Sequence, residues 1–283
     1  MCHQLTRLSW AFLIAYGSWE FGLKGVAFHF FPIVVLNFTE QLLLAGFFVT
    51  HARAYYSGVE VAVFAACSVV VSNAMENLSI LTGFPFGYYY HTPLAGPKLF
   101  NVPVLVTLVY LGLGYVSWMV TQVLLRRTRP ANSKSLILVA PLVAAFVFSA
   151  WDLCIDPIYG TIYRAFIYQS PGAWFGTPVG NYFGWLLTTY LFYLPFSWLL
   201  ASLGGGGSEE PKRLFWLQPI VVYAITALGI ILGNLSGPHV AVTVANGKAW
   251  NTGDIYGAST LATLFTMVFI SLLAGIGLYR AED

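Results

Sequence analysis

Eight long runs of apolar residues constrain this chain more than any other feature of its sequence. Each run is close to the length of about 17–25 residues that an α-helix needs to cross the hydrocarbon core of a bilayer. The runs are 8–23, 26–49, 59–82, 102–125, 135–156, 178–203, 214–234 and 259–279. They predict an all-α fold, a polytopic membrane helical bundle with about eight transmembrane helices.

The composition agrees with a membrane protein. The chain is 58% hydrophobic and only 8% charged, whereas about a quarter of the residues of soluble domains are charged. This difference excludes a soluble globular protein and predicts a multi-pass integral membrane protein in contact with membrane lipid. Cys2, Cys67 and Cys154 are scattered, and they indicate neither a disulfide framework nor a metal site.

The distribution of Lys and Arg predicts that both termini are cytoplasmic. With eight spans, nine of the 13 basic residues fall on the side of the termini and four fall on the other side, and basic residues accumulate on the cytoplasmic side of membranes. The densest group, 126–134, is explained by this topology and by anionic lipid, so no nucleic-acid partner is predicted. Residues 1–283 are predicted to form a single integral membrane domain with a flexible polar loop at 204–213, which contains GGGGSEE.

Residues 76–103, ENLSILTGFPFGYYYHTPLAGPKLFNVP, stand out among the predicted connections. Gly and Pro repeatedly break the backbone here, around a group of ring side chains: Phe86, Tyr88, Tyr89, Tyr90 and His91. We interpret the stretch as a structured cap over a pocket, with these rings in contact with a substrate. The alternatives are an aromatic belt at the membrane interface and, for the histidine, a purely structural role.

Carboxylates within apolar spans are costly there, and they are candidates for function by default. The predicted topology places Glu40 near the middle of its span and four others near the non-cytoplasmic ends of theirs: Glu20, Glu76, Asp152 and Asp156. The convergence of these four predicts an active site. The alternative is that each is structural and pairs with a basic or polar neighbour such as Lys24.

Helical spacing sets the predicted neighbours of these carboxylates. Asn73, Glu76 and Asn77 follow an i, i+3, i+4 pattern and form one polar stripe. Asp152 and Asp156 are one helical turn apart, so that the two carboxyls can share one proton.

The remaining wall of the predicted site is aromatic and polar. Trp151 precedes the first aspartate, and Asn181 and Trp185 lie at the outer start of the sixth span. A carboxyl group kept protonated among such side chains is suited to protonating carbon.

Two classes of metalloenzyme lack their motifs in this sequence. The five histidines form no HxxHH-type box, so a membrane di-iron hydroxylase or desaturase is not predicted. Asp152-x-x-x-Asp156 is half of an isoprenoid-diphosphate Mg²⁺ motif, but neither a second Asp-rich motif nor the cationic partners are present. We therefore predict no metal and no cofactor.

Three blocks of the sequence resemble the bacterial and archaeal carotenoid-biosynthesis membrane proteins. They are ENLSILTGFPFGYYYHT…GPKLFNVP, WDLCIDP at 151–157 and GTPVGNYFGW at 176–185, and the resemblance extends over residues 60–260. Characterised members of that family hydrate the end of an acyclic carotenoid. The resemblance therefore implies a cofactor-independent carotenoid 1,2-hydratase of the bisanhydrobacterioruberin type, in a prokaryotic cell membrane. An acyclic carotenoid as substrate, and other carotenoid-pathway enzymes as partners, would follow.

Hydration of a terminal trisubstituted alkene needs an acid, faces that stabilise a tertiary cation, and a positioned water. We hypothesise that Asp152, supported by Asp156, protonates the alkene, while Glu76 with Asn77 holds the attacking water. The predicted substrate-binding residues are Glu20, Asn73, Phe86, Tyr88, Tyr89, Tyr90, His91, Trp151, Asn181 and Trp185. A proton-initiated terpene or carotenoid cyclase would use the same groups without the water, and a lipid or isoprenoid transporter would use intramembrane carboxylates as a proton relay.

Overall fold

The computed structural model describes residues 2–125, 136–203 and 211–280, and helices make up most of them. The helices are α1 (Cys2–Ser18), α2 (Lys24–Ala27), α3 (Ile33–Arg53), α4 (Gly58–Thr82), α5 (Val104–Leu125), α6 (Leu136–Pro157), α7 (Val179–Leu203), α8 (Arg213–Ser236), α9 (Thr252–Thr263) and α10 (Phe269–Tyr279). Single π-helical turns join α1 to α2, follow α6, and join α9 to α10: Trp19–Leu23, Ile158–Ile162 and Leu264–Val268.

The predicted all-α membrane bundle is confirmed. In the described part of the chain, seven helical stretches are long and apolar enough to cross a membrane: Ile33–Arg53, Gly58–Thr82, Val104–Leu125, Ile137–Ile162, Val179–Ser202, Arg213–Ser236 and Thr252–Tyr279. The remaining predicted span is the N-terminal helix, which runs from Cys2 through the first π-helical turn to Ala27. The protein is thus a multi-pass integral membrane protein, and the cytoplasmic location of both termini stays a prediction.

The N-terminal helix extends beyond the predicted run 8–23 at both ends, and two other boundaries differ from the prediction because of local capping residues. The second apolar run begins at residue 26, whereas α3 begins at Ile33 after a turn, with the extended Pro32 at its N-cap. The last run begins at residue 259, whereas α9 begins at Thr252. The side chain of Asn251 starts that helix early by accepting a 2.8 Å hydrogen bond from the Gly253 N–H. The basic group 126–134 and the GGGGSEE segment lie outside the described residues.

The bundle is organised around α5, which contacts α3, α4, α6, α8 and α10. It is the most deeply buried of the seven described spans, because 67% of its most apolar stretch is buried inside the protein. Gly112 allows a close approach to α3, because a Cβ atom there would lie 2.8 Å from Cβ of Leu44. The other extensive helix contacts are α6 with α7, α1 with α3, and α4 with α7.

Three short antiparallel strand pairs lie in the long connections. The strands are β1 (Tyr89–His91), β2 (Lys98–Leu99), β3 (Val102–Pro103), β4 (Phe166–Tyr168), β5 (Ala241–Thr243) and β6 (Ala249–Asn251). β1 pairs with β4, and Tyr89 lies opposite Tyr168. The Arg164 guanidinium donates a 3.0 Å hydrogen bond to the carbonyl oxygen of Thr243. The three long connections therefore meet at one end of the bundle.

The connection after α4 folds back onto that helix. The Ser79 hydroxyl accepts a 3.0 Å hydrogen bond from the Phe86 N–H and donates one of 2.9 Å to the Gly87 carbonyl. Because neighbouring residues of a strand point to opposite faces, Tyr89 and His91 are buried while Tyr88 and Tyr90 are about half exposed. The aromatic stretch is therefore a cap on its inner face and a row of exposed rings on its outer face.

Candidate active site

A cavity of about 800 Å³ lies beneath this cap. Helices α3, α6, α7 and α8 and the N-terminal helix contribute to its wall, and the cap residues Phe86, Tyr89 and His91 close one side. Most of the wall is apolar or aromatic, and the charged side chains belong to two separate groups. We call them the aspartate–glutamate group (Glu76, Asp152 and Asp156) and the lysine group (Glu20, Lys24 and Glu40).

Glu76 is buried on the last turns of α4 and is held by two tyrosine hydroxyls. The hydroxyl of Tyr89 donates to Oε2, and that of Tyr110 donates to Oε1 over 2.9 Å. Burial, and then the charge of Glu76, raises the pKa of Tyr89 well above its usual value, so this hydroxyl remains a donor at neutral pH. His91 Nε2 lies 3.7 Å from Oε2. The two tyrosine hydroxyls fix the Glu76 side chain in position.

Asp152 and Asp156 are buried one turn apart on α6 and share one donor. The side-chain N–H₂ of Asn181, on the first turn of α7, donates to Oδ2 of Asp156 over 2.5 Å and to Oδ2 of Asp152 over 3.3 Å. Among the described residues, Oδ1 of Asp152 has no hydrogen-bond partner although it is buried. This carboxyl therefore has an oxygen available to a molecule in the cavity.

Glu76 and Asp152 belong to different helices, α4 and α6. Both line the cavity, together with Asp156 and Asn181. The structure thus brings together three of the four carboxylates that the sequence groups near the non-cytoplasmic ends of the spans.

Aromatic rings form a stacked wall next to these carboxylates. The Trp185 ring stacks on Tyr110 at 4.7 Å and on Phe148 at 5.4 Å between centroids. Phe86 packs against Trp185 at 5.7 Å, and Trp151 lies edge-on to it at 6.4 Å. The faces of such rings carry partial negative charge and can stabilise a cation in the cavity.

Glu20 does not join the other carboxylates. Its Oε1 accepts a 3.1 Å hydrogen bond from Lys24 Nζ, one helical turn on, and Lys24 also bonds Glu40. Gln41 Nε2 donates to the second oxygen of Glu40 over 3.2 Å. This lysine group lines the cavity, but its carboxylates already pair with a cation. Glu20 therefore agrees with the alternative given above, in which it is structural and pairs with Lys24.

Asn73 and Asn77 lie outside the cavity lining, contrary to the predicted polar stripe. Successive helical residues point about 100° apart, so Asn77 points to a different side of α4 from Glu76. Its Oδ1 accepts a 3.1 Å hydrogen bond from the Asn101 side chain, and Asn73 Nδ2 donates to the Thr107 hydroxyl over 3.0 Å. The exposed Tyr88 and Tyr90 are also absent from the lining. These four predicted positions therefore do not reach the cavity.

Tyr110 and Tyr168 belong to the site, although the sequence gives little sign of either. Tyr110 lies inside the apolar span α5, where a single phenol is easily taken for a core residue. Tyr168 lines the cavity from β4, which pairs with β1 in the cap. Only that strand pairing brings Tyr168 to the site. Within residues 2–125, 136–203 and 211–280, no group of three or more His, Cys, Asp or Glu residues could hold a metal ion.

Comparison with known families agrees with the resemblance seen in the sequence. The profile of the family described as "Carotenoid biosynthesis protein" matches residues 33–247, which cover α3 to α8 and the paired strands β1 and β4. Comparisons with curated proteins and with solved structures find no match. Because the matched segment spans most of the sequence, the chain belongs to the carotenoid biosynthesis protein family and takes part in carotenoid biosynthesis.

Proposed function

We propose that the protein is a carotenoid hydratase, which adds water across the terminal C=C bond of an acyclic carotenoid end group. The observation that carries this proposal is the aspartate–glutamate group. An aspartate pair that shares one amide donor lines the same apolar, aromatic cavity as a glutamate held by two hydroxyls. Family membership supplies the class of substrate.

The aspartate pair is proposed to act as the acid. Two negative charges one turn apart in an apolar interior repel each other, and one proton between them removes the repulsion. Asn181 binds Oδ2 of both aspartates, which leaves Oδ1 of Asp152 without a partner in the described chain and able to donate its proton to the substrate. The proton moves from Asp152 to the terminal alkene, whose π electrons form the new C–H bond and leave a tertiary cation on the neighbouring carbon.

The cation is captured by water while the aromatic wall stabilises it. Trp151 and Trp185 line the same cavity as the aspartates, so their rings can stabilise a positive charge that forms there. Glu76 accepts a proton from the attacking water as the C–O bond forms, and Tyr89 and Tyr110 hold its carboxylate in place. Transfer of that proton back to Asp152 completes the cycle. Asn77 has no part in this proposal, because its side chain bonds Asn101 outside the cavity.

The proposal can be tested with purified protein in liposomes that contain an acyclic carotenoid. We expect a product heavier by one water, formed without oxygen and in the presence of a chelator, since none of the proposed steps uses either. The Asp152→Asn protein is the matched control and should give no product. An isomer of unchanged mass would indicate the cyclase instead, and restoration of activity by Mg²⁺ after chelation would indicate a prenyltransferase.

A further inference from the structure

The N-terminal helix and α8 lie side by side along one wall of the cavity. The hydroxyls of Tyr16 and Thr226 share a 2.8 Å hydrogen bond. Glu20 lies four residues after Tyr16, and Gly229 lies three residues after Thr226. Gly229 makes room for Glu20, because a Cβ atom there would lie 2.6 Å from Oε2 of that glutamate. The separation along the sequence is nearly the same for Tyr16 and Thr226 as for Glu20 and Gly229. The two helices therefore run parallel and in register.

The two helices separate one turn further along. The same separation along the sequence places Gly233 opposite the turn that contains Lys24 and Gly25. In the described chain, however, a Cβ atom on Gly25 or on Gly233 would meet no heavy atom within 4 Å. Both glycines also line the cavity. The contact between the helices therefore ends in a gap that opens into the cavity.

Exposed apolar side chains surround this gap. Phe21, Phe28 and Leu232 all line the cavity, yet they are 48%, 61% and 52% exposed. Their exposed faces belong to helices of a membrane bundle, where lipid is the surrounding solvent. The nearest cation, Lys24, is engaged by Glu20 and Glu40. Such a rim suits a long apolar chain and is unfavourable for a charged or strongly hydrated molecule.

We propose that the gap between Gly25 and Gly233 is a lateral portal, through which the end of an acyclic polyene enters the cavity from the bilayer. The identity of the ligand rests on the proposed function. The cavity is continuous from the glycines of the portal to the aspartate pair, because the same cavity is lined by both. The N-terminal wall of the portal lies before residue 33, outside the segment that matches the family. Access is thus controlled by a helix to which the family match does not extend.

The portal can be tested by filling it with side chains. Gly25→Phe, Gly233→Phe and the double variant place rings in the gap, where a Cβ atom on either glycine meets no described heavy atom within 4 Å. Gly22→Phe and Gly275→Phe are matched controls, because a Cβ atom there also meets no described heavy atom within 4 Å but neither residue lines the cavity. Thermal unfolding in detergent verifies that each variant is folded.

The readout is the rate at which the protein takes up an acyclic carotenoid from liposomes. With lycopene, an achiral acyclic carotenoid, as the probe, visible circular dichroism develops only when the protein binds it, whether or not it is hydrated. The double variant should load about ten-fold more slowly or worse, because a ring must be displaced from a filled gap before a chain can pass. Each single variant should fall between it and the wild type, and the controls should load at the wild-type rate.

Several outcomes separate the portal from the proposed reaction. Loading of the double variant at the wild-type rate would overturn the portal, even if hydration proceeds normally. Equal slowing by the control rings would also overturn it, since the effect would then not depend on the gap. Slow loading of the portal variants alone, in a protein whose wild type hydrates nothing, would support the portal and refute the hydratase. Absence of induced dichroism in the wild type would overturn the portal.

Discussion

Asp152→Asn is the substitution that most sharply tests the proposed acid. The asparagine has the same size, and its oxygen can still accept the 3.3 Å hydrogen bond from Asn181. The shorter 2.5 Å bond from Asn181 to Asp156 is untouched. The variant therefore loses a proton donor and very little packing. Its folded structure and its affinity for the polyene should be close to those of the wild type.

The expected loss of activity follows from what the proton does. Removal of a general acid typically lowers turnover about 10²–10⁴-fold. We expect kcat for Asp152→Asn to fall toward the upper end of that range, because an alkene carbon takes up a proton from water only very slowly. Asp156→Asn should cost less, since Asp152 itself is unchanged and its buried Oδ1 is still available to the substrate. Asp254→Asn, an exposed position at the start of α9, is the matched control and should be neutral.

The assay is single-turnover hydration in liposomes, with the product separated by chromatography and bound polyene measured from its induced circular dichroism. The reasoning fails if Asp152→Asn retains turnover within a few-fold of the wild type. Loss of activity in Asp156→Asn alone would transfer the role of acid to that residue. Loss of polyene binding in Asp152→Asn would mean that the carboxyl is structural.

Three further predictions concern other parts of the structure. Glu76→Gln should abolish hydration but release an elimination or cyclised product, because the cation forms without a base for water; complete inactivity without a by-product would reverse the roles of the two carboxyl groups. Lys24→Met should lower the free energy of unfolding by about 3–5 kcal/mol at most, since two partly buried carboxylates lose their cation. Unfolding in detergent measures this change, and a stability equal to that of the wild type would show that the pairing contributes little. In a cysteine-free background, Ser133→Cys and Ser170→Cys should label from opposite sides of the membrane, and labelling from one side would invalidate the predicted topology.

The sequence predicts the helices well, because each apolar run must satisfy its backbone within the membrane. It also predicts the aspartate pair, since the i, i+4 spacing within one helix fixes the distance between Asp152 and Asp156. Helical spacing misleads for Asn77. It predicts a polar stripe that Asn77 shares with Asn73 and Glu76, but it does not show which of these side chains faces the cavity. Contacts between helices are harder still: neither the Tyr110 bond to Glu76 nor the position of Asn181 between the aspartates follows from local pattern.

The pairing of Glu20 illustrates a different limit. Burial makes any carboxylate in a span a candidate for function, but Lys24 lies one turn away on the same helix and Glu40 meets it from α3. Whether such a group is structural depends on the position of the neighbouring helix. That position cannot be predicted from the sequence of one span alone. The lateral gap at Gly25 and Gly233 depends on the same information.

Isotope labelling tests the central claim most directly. Purified protein is incubated with an acyclic carotenoid in water enriched in oxygen-18 and deuterium, under nitrogen, and the product is analysed by mass spectrometry. Hydration by acid predicts one labelled oxygen and one carbon-bound deuterium at each reacted end, with neither in the carotenoid recovered from Asp152→Asn. A product that carries deuterium but no labelled oxygen would contradict hydration and identify a cyclase or an isomerase.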